Sequence, residues 1–210
     1  MSSQRGATLI EVAVASLITT LILLTVGSTT DQAQKKLFSE SDRVEMQQKG
    51  RAALDVLSVY ARSAGANRSN VFSTAPYTTA SVLPIPQADS ATVRFRANYD
   101  ENGVLANTFP EDVTVSWDSS TDTLTAGPMT IANVSNFVIR YYDSDGAALT
   151  PPVGGWVVSA TASHGDTLAT IARIQFEIQL ESRHADPMTN QFALQTLISD
   201  VTVRNQLTTF

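Results

Sequence analysis

The sequence Arg5-Gly6-Ala7-Thr8-Leu9-Ile10-Glu11-Val12 opens an apolar run that continues to Val26. Between residues 7 and 26, almost every residue is Ala, Val, Leu, Ile or Thr. A helix rises about 1.5 Å per residue, so twenty residues cover about 30 Å, the hydrocarbon thickness of a bilayer. The run therefore predicts a helix that spans a membrane.

Glu11 is the one charged residue inside this run. An isolated charge at the centre of a membrane helix costs about 2.5–3.5 kcal/mol on insertion scales, and less toward an end. A carboxylate in such a position indicates a partner of opposite charge. Glu11 is therefore the first candidate for a functional residue.

Gly6 followed by Ala7-Thr8-Leu9-Ile10-Glu11-Val12 resembles the processing site of type IV prepilins and type II secretion pseudopilins. In that family, a membrane-embedded prepilin peptidase cuts after the glycine and methylates the new amino terminus. The glutamate then meets the terminal amine of a neighbouring subunit. The resemblance implies cleavage and methylation at Gly6 and Ala7 and an assembly role for Glu11, although the family usually has phenylalanine where this chain has Ala7.

The charge pair that the resemblance implies is physically reasonable, because an ammonium and a carboxylate cost less together in a low dielectric than either does alone. Two other interpretations of the run stay open. A secretory signal peptide also has a basic start, an apolar core and a small-residue cleavage site, and Val26-Gly27-Ser28 fits such a site. The apolar core of a signal peptide, however, is normally shorter than this run and contains no glutamate. The second alternative is a simple one-pass anchor.

The composition is that of a globular chain with an uneven charge distribution. Its 210 residues are 43% hydrophobic and carry a formal charge of −6. There are seven basic and six acidic residues up to Arg62, but seven basic and fourteen acidic residues from Arg68 onward. An acidic outer domain without lysine argues against broad nucleic-acid binding. The absence of cysteine excludes disulfides, thiolate metal sites and a cysteine nucleophile.

The sequence divides into four parts. Residues 1–6 form a polar leader whose single charge, Arg5, predicts a cytoplasmic location for the leader and an external one for the rest. Residues 7–30 form the membrane and assembly half of a long helix, in which residues 27–30 favour a bend or a melted turn. Residues 31–64 form its amphipathic half, rich in helix-forming residues and stopped by Gly65. Residues 65–210 form a β-rich head.

Beyond a loop at residues 67–87, the hydrophobic period changes from that of a helix to that of a strand. The predicted fold class is α+β: a pilin fold with a long amino-terminal helix packed on an antiparallel β-sheet domain of six or more strands. The segments with a strand-like pattern are residues 91–97, 113–117, 123–125, 131–142, 156–158, 171–181 and 192–204.

Three further stretches resemble the PilW and PulJ (GspJ) families of minor pilins and pseudopilins. They are Arg62-Ser63-Ala64-Gly65, residues 131–146, and the last two strand segments, which end in Val201-Thr202-Val203-Arg204-Asn205. The resemblance implies a structural subunit, not an enzyme and without a cofactor, that initiates or caps a type IV pilus-like filament. It implies the prepilin peptidase, other pilin subunits and an inner-membrane assembly platform as partners, and a location in the bacterial inner membrane and then at the filament tip.

Two rival functions stay open. A type II secretion pseudopilin would use the same helix and the same glutamate to export proteins. An anchored envelope adhesin or enzyme would only begin like a prepilin, and its amino terminus would keep the leader.

Two acidic segments resemble pieces of calcium loops. A full calcium loop of the EF-hand type needs a glutamate at its twelfth position. Counted from Asp143 this position is Gly154, and counted from Asp100 it is Glu111. Asp-x-Asp-Gly between alternating strands is mostly hairpin chemistry. We therefore predict turns at both places and no metal site.

The histidines and aromatic residues give weaker signals. His164 lies near Ser159, Ser163 and Asp166, so a Ser–His–Asp triad is an alternative. No nucleophile-elbow sequence is present, and we interpret His164 as a loop residue. We expect His184 in a turn between the last two strands. Aromatic residues in alternating strands are usually core residues, although they also suit a sugar or peptide surface. These are Trp117, Trp156, Tyr141 and Tyr142.

Overall fold

In the computed structural model, which describes residues 8–66, 72, 82–99, 104–158, 164–187 and 189–203, the longest element is the helix α1 (Leu9–Ser63). Its 55 residues correspond to about 82 Å at the standard rise. Side chains from Leu9 to Gln34 are exposed, and the first fully buried residue of α1 is Met46. The helix thus has a free amino-terminal half and a half packed on the head.

The segment of residues 27–30, where the sequence favours a bend or a melted turn, lies within α1 and is helical. Its hydroxyl groups bond back to the preceding turn: Thr29 and Thr30 Oγ1 donate to the Val26 carbonyl at 2.9 and 2.8 Å. The helix therefore continues through residues with low helix propensity, and these hydroxyl groups have hydrogen-bond partners within it.

The helix ends where the sequence predicts it. The N–H of Ala64 donates to the Tyr60 carbonyl at 3.0 Å, and Gly65 follows with a φ of 77°. Glycine adopts this left-handed conformation without the steric cost that a side chain would add. The Gly65 N–H then donates to the Arg96 carbonyl at 2.9 Å, which ties the helix end to the head.

Ten strands and one short helix follow α1 in the described part of the chain. They are β1 (Gln87–Ala88), β2 (Thr92–Arg96), β3 (Asp112–Asp118), β4 (Thr123–Ala126), β5 (Met129–Ala132), β6 (Val134–Tyr142), β7 (Ala148–Leu149), β8 (Trp156–Val157), α2 (Gly165–Ala169), β9 (Arg173–Ala185) and β10 (Phe192–Thr202).

The strands form two antiparallel sheets. The six-stranded sheet has the order β5-β4-β3-β2-β1-β8, and the four-stranded sheet has the order β10-β9-β6-β7. Buried side chains of both sheets and of α1 belong to one hydrophobic cluster. The predicted α+β class, with a long amino-terminal helix packed on antiparallel sheets, is therefore confirmed.

Asn133 marks the point at which the chain passes from one sheet to the other. The sequence pattern predicts one strand segment over residues 131–142, but β5 and β6 lie in different sheets. Asn133 between them has a φ of 66°. Asparagine tolerates this left-handed conformation better than most residues do, so it can break the strand without glycine.

Helix α1 packs against β9 and β10 through a stripe of mostly small or apolar residues. The two are close at Gly50, where a Cβ atom would lie 2.1 Å from Leu197 Cδ1 and 2.8 Å from Leu180 Cδ1. Residues further along α1 contact residues further along β10: Gly50 lies against Leu197, and Ser58 bonds to Ser199. Ser39, earlier in the helix, bonds to Asp186, which precedes β10. The helix and β10 therefore run in the same direction.

Hydrogen bonds and aromatic contacts join the two sheets inside the head. Tyr141 is fully buried, and its hydroxyl donates to the Asp89 carbonyl at 2.7 Å. Burial is the main reason that the pKa of Tyr141 lies well above its usual value of 10. The Asp89 charge raises the pKa further, and the hydrogen bond to the Asp89 backbone lowers it. Trp156 meets Tyr141 edge-on at 5.8 Å, and Trp117 Nε1 donates to the Val134 carbonyl at 2.9 Å.

Candidate assembly site on the amino-terminal helix

The amino-terminal end of α1 is closed by a reciprocal pair of hydrogen bonds between Thr8 and Glu11. The Thr8 N–H donates to Glu11 Oε2 at 2.7 Å, and the Glu11 N–H donates to Thr8 Oγ1 at 3.3 Å. This arrangement is a capping box with Thr8 as the N-cap and Glu11 at the third helical position. It satisfies two of the amide groups that every helix start leaves without intrahelical partners.

The capping box gives Glu11 a local structural role, in addition to the charge pairing that its position in the apolar run indicates. The signal is present in the sequence, because a Thr-x-x-Glu spacing before an apolar run is the pattern of this cap. A carboxylate at this end also interacts favourably with the helix dipole. Glu11 can therefore stabilise its own helix, and any further role must be tested against this one.

The predicted cleavage and methylation residues, Gly6 and Ala7, lie outside the described residues. Glu11 is described, and it stands four residues after Ala7 along the chain. The predicted division of the chain into leader, membrane half, amphipathic half and head stays a prediction, as does the assembly role of Glu11.

The free half of α1 presents apolar side chains on all sides. Leu9, Ile10 and Leu17 are 88%, 74% and 64% exposed, and the apolar residues through Val26 are all at least half exposed or small. A helix that is apolar all round is suited to a membrane or to the interior of a bundle. By length and composition, α1 is long and apolar enough to cross a membrane.

The hydroxyl groups in this half are satisfied within the helix itself. Thr19 and Thr20 Oγ1 each donate to the carbonyl four residues earlier at 2.8 Å, and Thr25 Oγ1 donates to the Ile22 carbonyl at 2.8 Å. Polar groups in a hydrocarbon medium need such internal partners. The threonines therefore do not prevent the helix from entering an apolar environment.

Polar contacts begin where the head meets α1. Ser39 Oγ donates to Asp186 Oδ2 at 3.2 Å, and His184 Nδ1 lies 3.3 Å from Asp42 Oδ2. On the helix surface, Lys49 contacts Glu45 at 2.6 Å, and its hydrogen bond and charge hold the pKa of Glu45 below the usual value.

The two calcium-like segments serve local structure in the described residues. Asp143 Oδ1 accepts the N–H groups of Asp145 and Ala147 at 3.0 and 2.8 Å in the β6–β7 hairpin, which confirms the predicted turn. Glu111 is buried and accepts the N–H groups of Tyr99 and Ala106 at 3.0 and 2.7 Å. Residues 100–103, which carry the rest of the second segment, lie outside the described residues.

One histidine lies outside the element that the sequence pattern predicts for it. The pattern predicts His184 in a turn, but the residue belongs to β9, because that strand continues to Ala185 and the turn starts at Asp186. His164 precedes α2, and its Nδ1 lies 3.2 Å from both backbone polar atoms of Val157. Ser159 and Ser163 lie outside the described residues, so the triad alternative is not tested.

The aromatic residues mostly serve the core. Trp156 and Tyr141 are buried in it, and Trp117 is half-buried against it. Tyr142 is half-buried on the other face of β6, where the Arg173 guanidinium stacks 4.0 Å from its ring centre. The core interpretation thus holds for Trp156 and Tyr141.

Comparisons with family models, with curated proteins and with solved structures gave no match to this chain.

Proposed function

We propose that this chain is a minor pilin-like subunit that initiates or caps a type IV pilus-like filament. In this proposal, the prepilin peptidase cuts between Gly6 and Ala7, and the mature chain stays in the inner membrane through α1. The helix then joins a bundle of similar helices on the assembly platform. The carboxylate of Glu11 pairs with the amino terminus of a neighbouring subunit, which sets the axial position of the two chains.

The observation that carries the proposal is the exposed first part of α1, up to Val26, which is apolar on every side and has Glu11 as its single charge. A helix of this kind requires an apolar surrounding, and its carboxylate requires a cation once water is excluded. A neighbouring helix with a free terminal amine supplies both. The α+β architecture, with the head attached only to the second half of α1, is compatible with this arrangement.

A capping role alone is the main competing explanation for Glu11, and substitution by glutamine separates the two. Glutamine at the third helical position maintains a capping box but has no charge. We expect Glu11→Gln to be cleaved, folded and membrane-bound like the unchanged chain, yet absent from filaments sheared from the cells. Normal incorporation of Glu11→Gln would show that charge pairing is not the mechanism.

Mass spectrometry of the amino terminus tests the processing step independently. A mature chain that starts at Ala7 is the expected result, whereas an intact leader would instead favour the anchored adhesin or enzyme. A type II secretion pseudopilin is the second candidate, because it uses the same helix and the same pairing. Loss of protein export in cells that lack this chain, with normal pili, would favour that candidate.

A further inference from the structure

The open edge of β10 differs from the other sheet edges. The terminal strands β5, β7 and β8 have four, two and two residues, whereas β10 has eleven. Short edge strands offer few backbone groups to another chain, and long ones offer many. Within the described residues, β10 pairs with β9 on one side, and no strand pairs with its other side.

Hydrogen bonds at both ends of β9 fix which backbone groups of β10 point outward. The Glu181 N–H on β9 donates to the Asn133 carbonyl, so it points away from β10. The Val203 N–H donates to the Ala172 carbonyl, so Val203 points toward the chain of β9. Since Leu194 is paired with Glu181, its N–H and C=O point away from β9, and every second residue after it does the same. The outward-pointing residues are Leu194, Thr196, Ile198, Asp200 and Thr202.

Beyond an irregularity in its pairing between Phe192 and Leu194, this edge has few of the features that usually prevent strands from joining. Residues 192–202 contain no proline, glycine or lysine, and Asp200 is their one charged residue. Arg173 and Gln175 on β9 already contact the Asp200 carboxylate. Leu194 and Ile198 are 59% and 57% exposed on the face away from α1. A long edge strand with two exposed large apolar side chains and one charge is unusual for a strand that stays in solvent.

A groove lies beside the edge, between α1 and the start of β10. It has a volume of about 430 Å³, and its walls include Glu40, Val44 and Gln47 from the helix and Ala193 and Gln195 from the strand. In a strand added to β10, alternate side chains would point toward α1. The groove provides room for one of them next to the half-exposed Val44.

A second copy of the chain does not fit this edge in a shared membrane. Pairing of two β10 strands through the same edge in one continuous sheet requires an antiparallel arrangement about a twofold axis perpendicular to the sheet. Because α1 runs in the same direction as β10, this axis would point the two apolar helix halves in opposite directions. This geometry excludes β10 of a second anchored copy as the occupant.

We propose that the open edge of β10 binds an extended segment of a different subunit, which adds one strand to the four-stranded sheet. Its main chain would bond to the outward-pointing groups of β10, and apolar side chains would cover Leu194 and Ile198. A basic side chain on the same face would lie near Glu181, which is paired with Leu194. This inference rests on the proposed function, because it assumes that the chain has neighbouring subunits.

Amide hydrogen exchange on the full chain tests the strand addition directly. We compare the purified chain in detergent with the same chain in filaments sheared from cells. The amides of the five outward-pointing residues should exchange rapidly in the free chain and at least about tenfold more slowly in filaments. Slow exchange already in the free chain would mean that the edge is covered internally, and fast exchange in both samples would mean that nothing binds it. Either result overturns the proposal.

A proline at the edge provides a second test with a matched control. Thr196→Pro removes an outward N–H and leaves the bonds to β9 in place, whereas Thr196→Ala leaves the backbone unchanged. We expect Thr196→Pro to fold normally and to enter filaments at under about a tenth of the level of Thr196→Ala. If Thr196→Pro does not fold, Thr196→Lys places a charge at the same point and should have the same effect.

The two proposals fail in different ways. If Glu11→Gln is excluded from filaments while Thr196→Pro and Thr196→Lys enter them normally, only the strand addition is wrong. If Glu11→Gln also enters normally, the charge-pairing assembly itself is wrong.

Discussion

Gly50 lies so close to Leu197 that a Cβ atom on the glycine would be 2.1 Å from Leu197 Cδ1. Helix α1 can approach the sheet at this distance only because the residue has no side chain. Gly27 is the opposite case, since no atom outside its own helix lies within 4 Å of its Cβ position.

Substitutions at these positions should therefore have different effects. Alanine gains about 1 kcal/mol of helix propensity over glycine, but overpacking a filled contact costs about 1–3 kcal/mol. We expect Gly50→Ala to lower the free energy of unfolding of the head by about 1 kcal/mol in urea titrations, and Gly27→Ala to leave it unchanged. In a Leu197→Ala background, the cost of Gly50→Ala should become smaller, because only Leu180 Cδ1 at 2.8 Å stays in the way, and an unchanged cost would contradict the contact with Leu197.

Thr8→Ala should loosen the first turn of α1 without affecting the head. The loss of an N-cap hydroxyl costs about 1 kcal/mol, which corresponds to about fivefold faster amide exchange in the first turn. Thr8→Ser keeps a capping hydroxyl and should exchange like the unchanged chain. Equal exchange in the alanine and serine variants would show that the Thr8–Glu11 cap contributes little in solution.

Asp112 should make the head sensitive to acid. Its burial raises the pKa, but the hydrogen bonds and charges of Arg94 and Arg96 outweigh that effect and hold the pKa below its usual value. The stabilisation is therefore present above the unfolded pKa of about 3.9 and is lost as the pH falls through the lower folded value.

We expect Asp112→Asn to lower the free energy of unfolding at pH 7 by about 1–3 kcal/mol, the range for hydrogen bonds to a charged group. Below the folded pKa of Asp112, the two proteins should become similar in stability. Urea titrations across the acid range measure this difference, and a constant gap down to low pH would contradict the predicted role.

Tyr141 should respond to alkaline pH in the opposite sense. Its folded pKa is raised, chiefly by burial, so its contribution is complete below the unfolded pKa of about 10 and decreases above it. Tyr141→Phe leaves the Asp89 carbonyl without its 2.7 Å donor, and we expect a loss of about 1–2 kcal/mol at pH 7. Tyrosinate absorbance should show one tyrosine of the unchanged chain that ionises only on unfolding, and this signal should be missing in the variant.

The long elements are predictable because their patterns are long. The apolar run and the helix-forming residues after it indicate α1, and clean alternation over residues 171–181 indicates β9. The elements β1, β7 and α2 escape prediction, because two to five residues carry no readable period and are formed by tertiary contacts. The transfer between sheets at Asn133 escapes it for a similar reason, since one left-handed asparagine leaves the hydrophobic pattern intact.

The candidate site is predictable only as a charge in an unusual place. Glu11 stands out because the residues around it are apolar, whereas the cap that it forms with Thr8 depends on a three-residue spacing that hydropathy alone does not reveal. The open edge of β10 could not be predicted, because strand order depends on which segments pair and not on the period of any one strand.

The parallel course of α1 and β10 also determines how the subunit responds to a pulling force. Tension applied along the helix acts in shear, so the contacts from Ser39 to Ser58 resist it together. If the helix crossed the strand at a right angle, the same tension would peel the contacts away one after another. The geometry thus lets these contacts share a load that is applied along the helix axis.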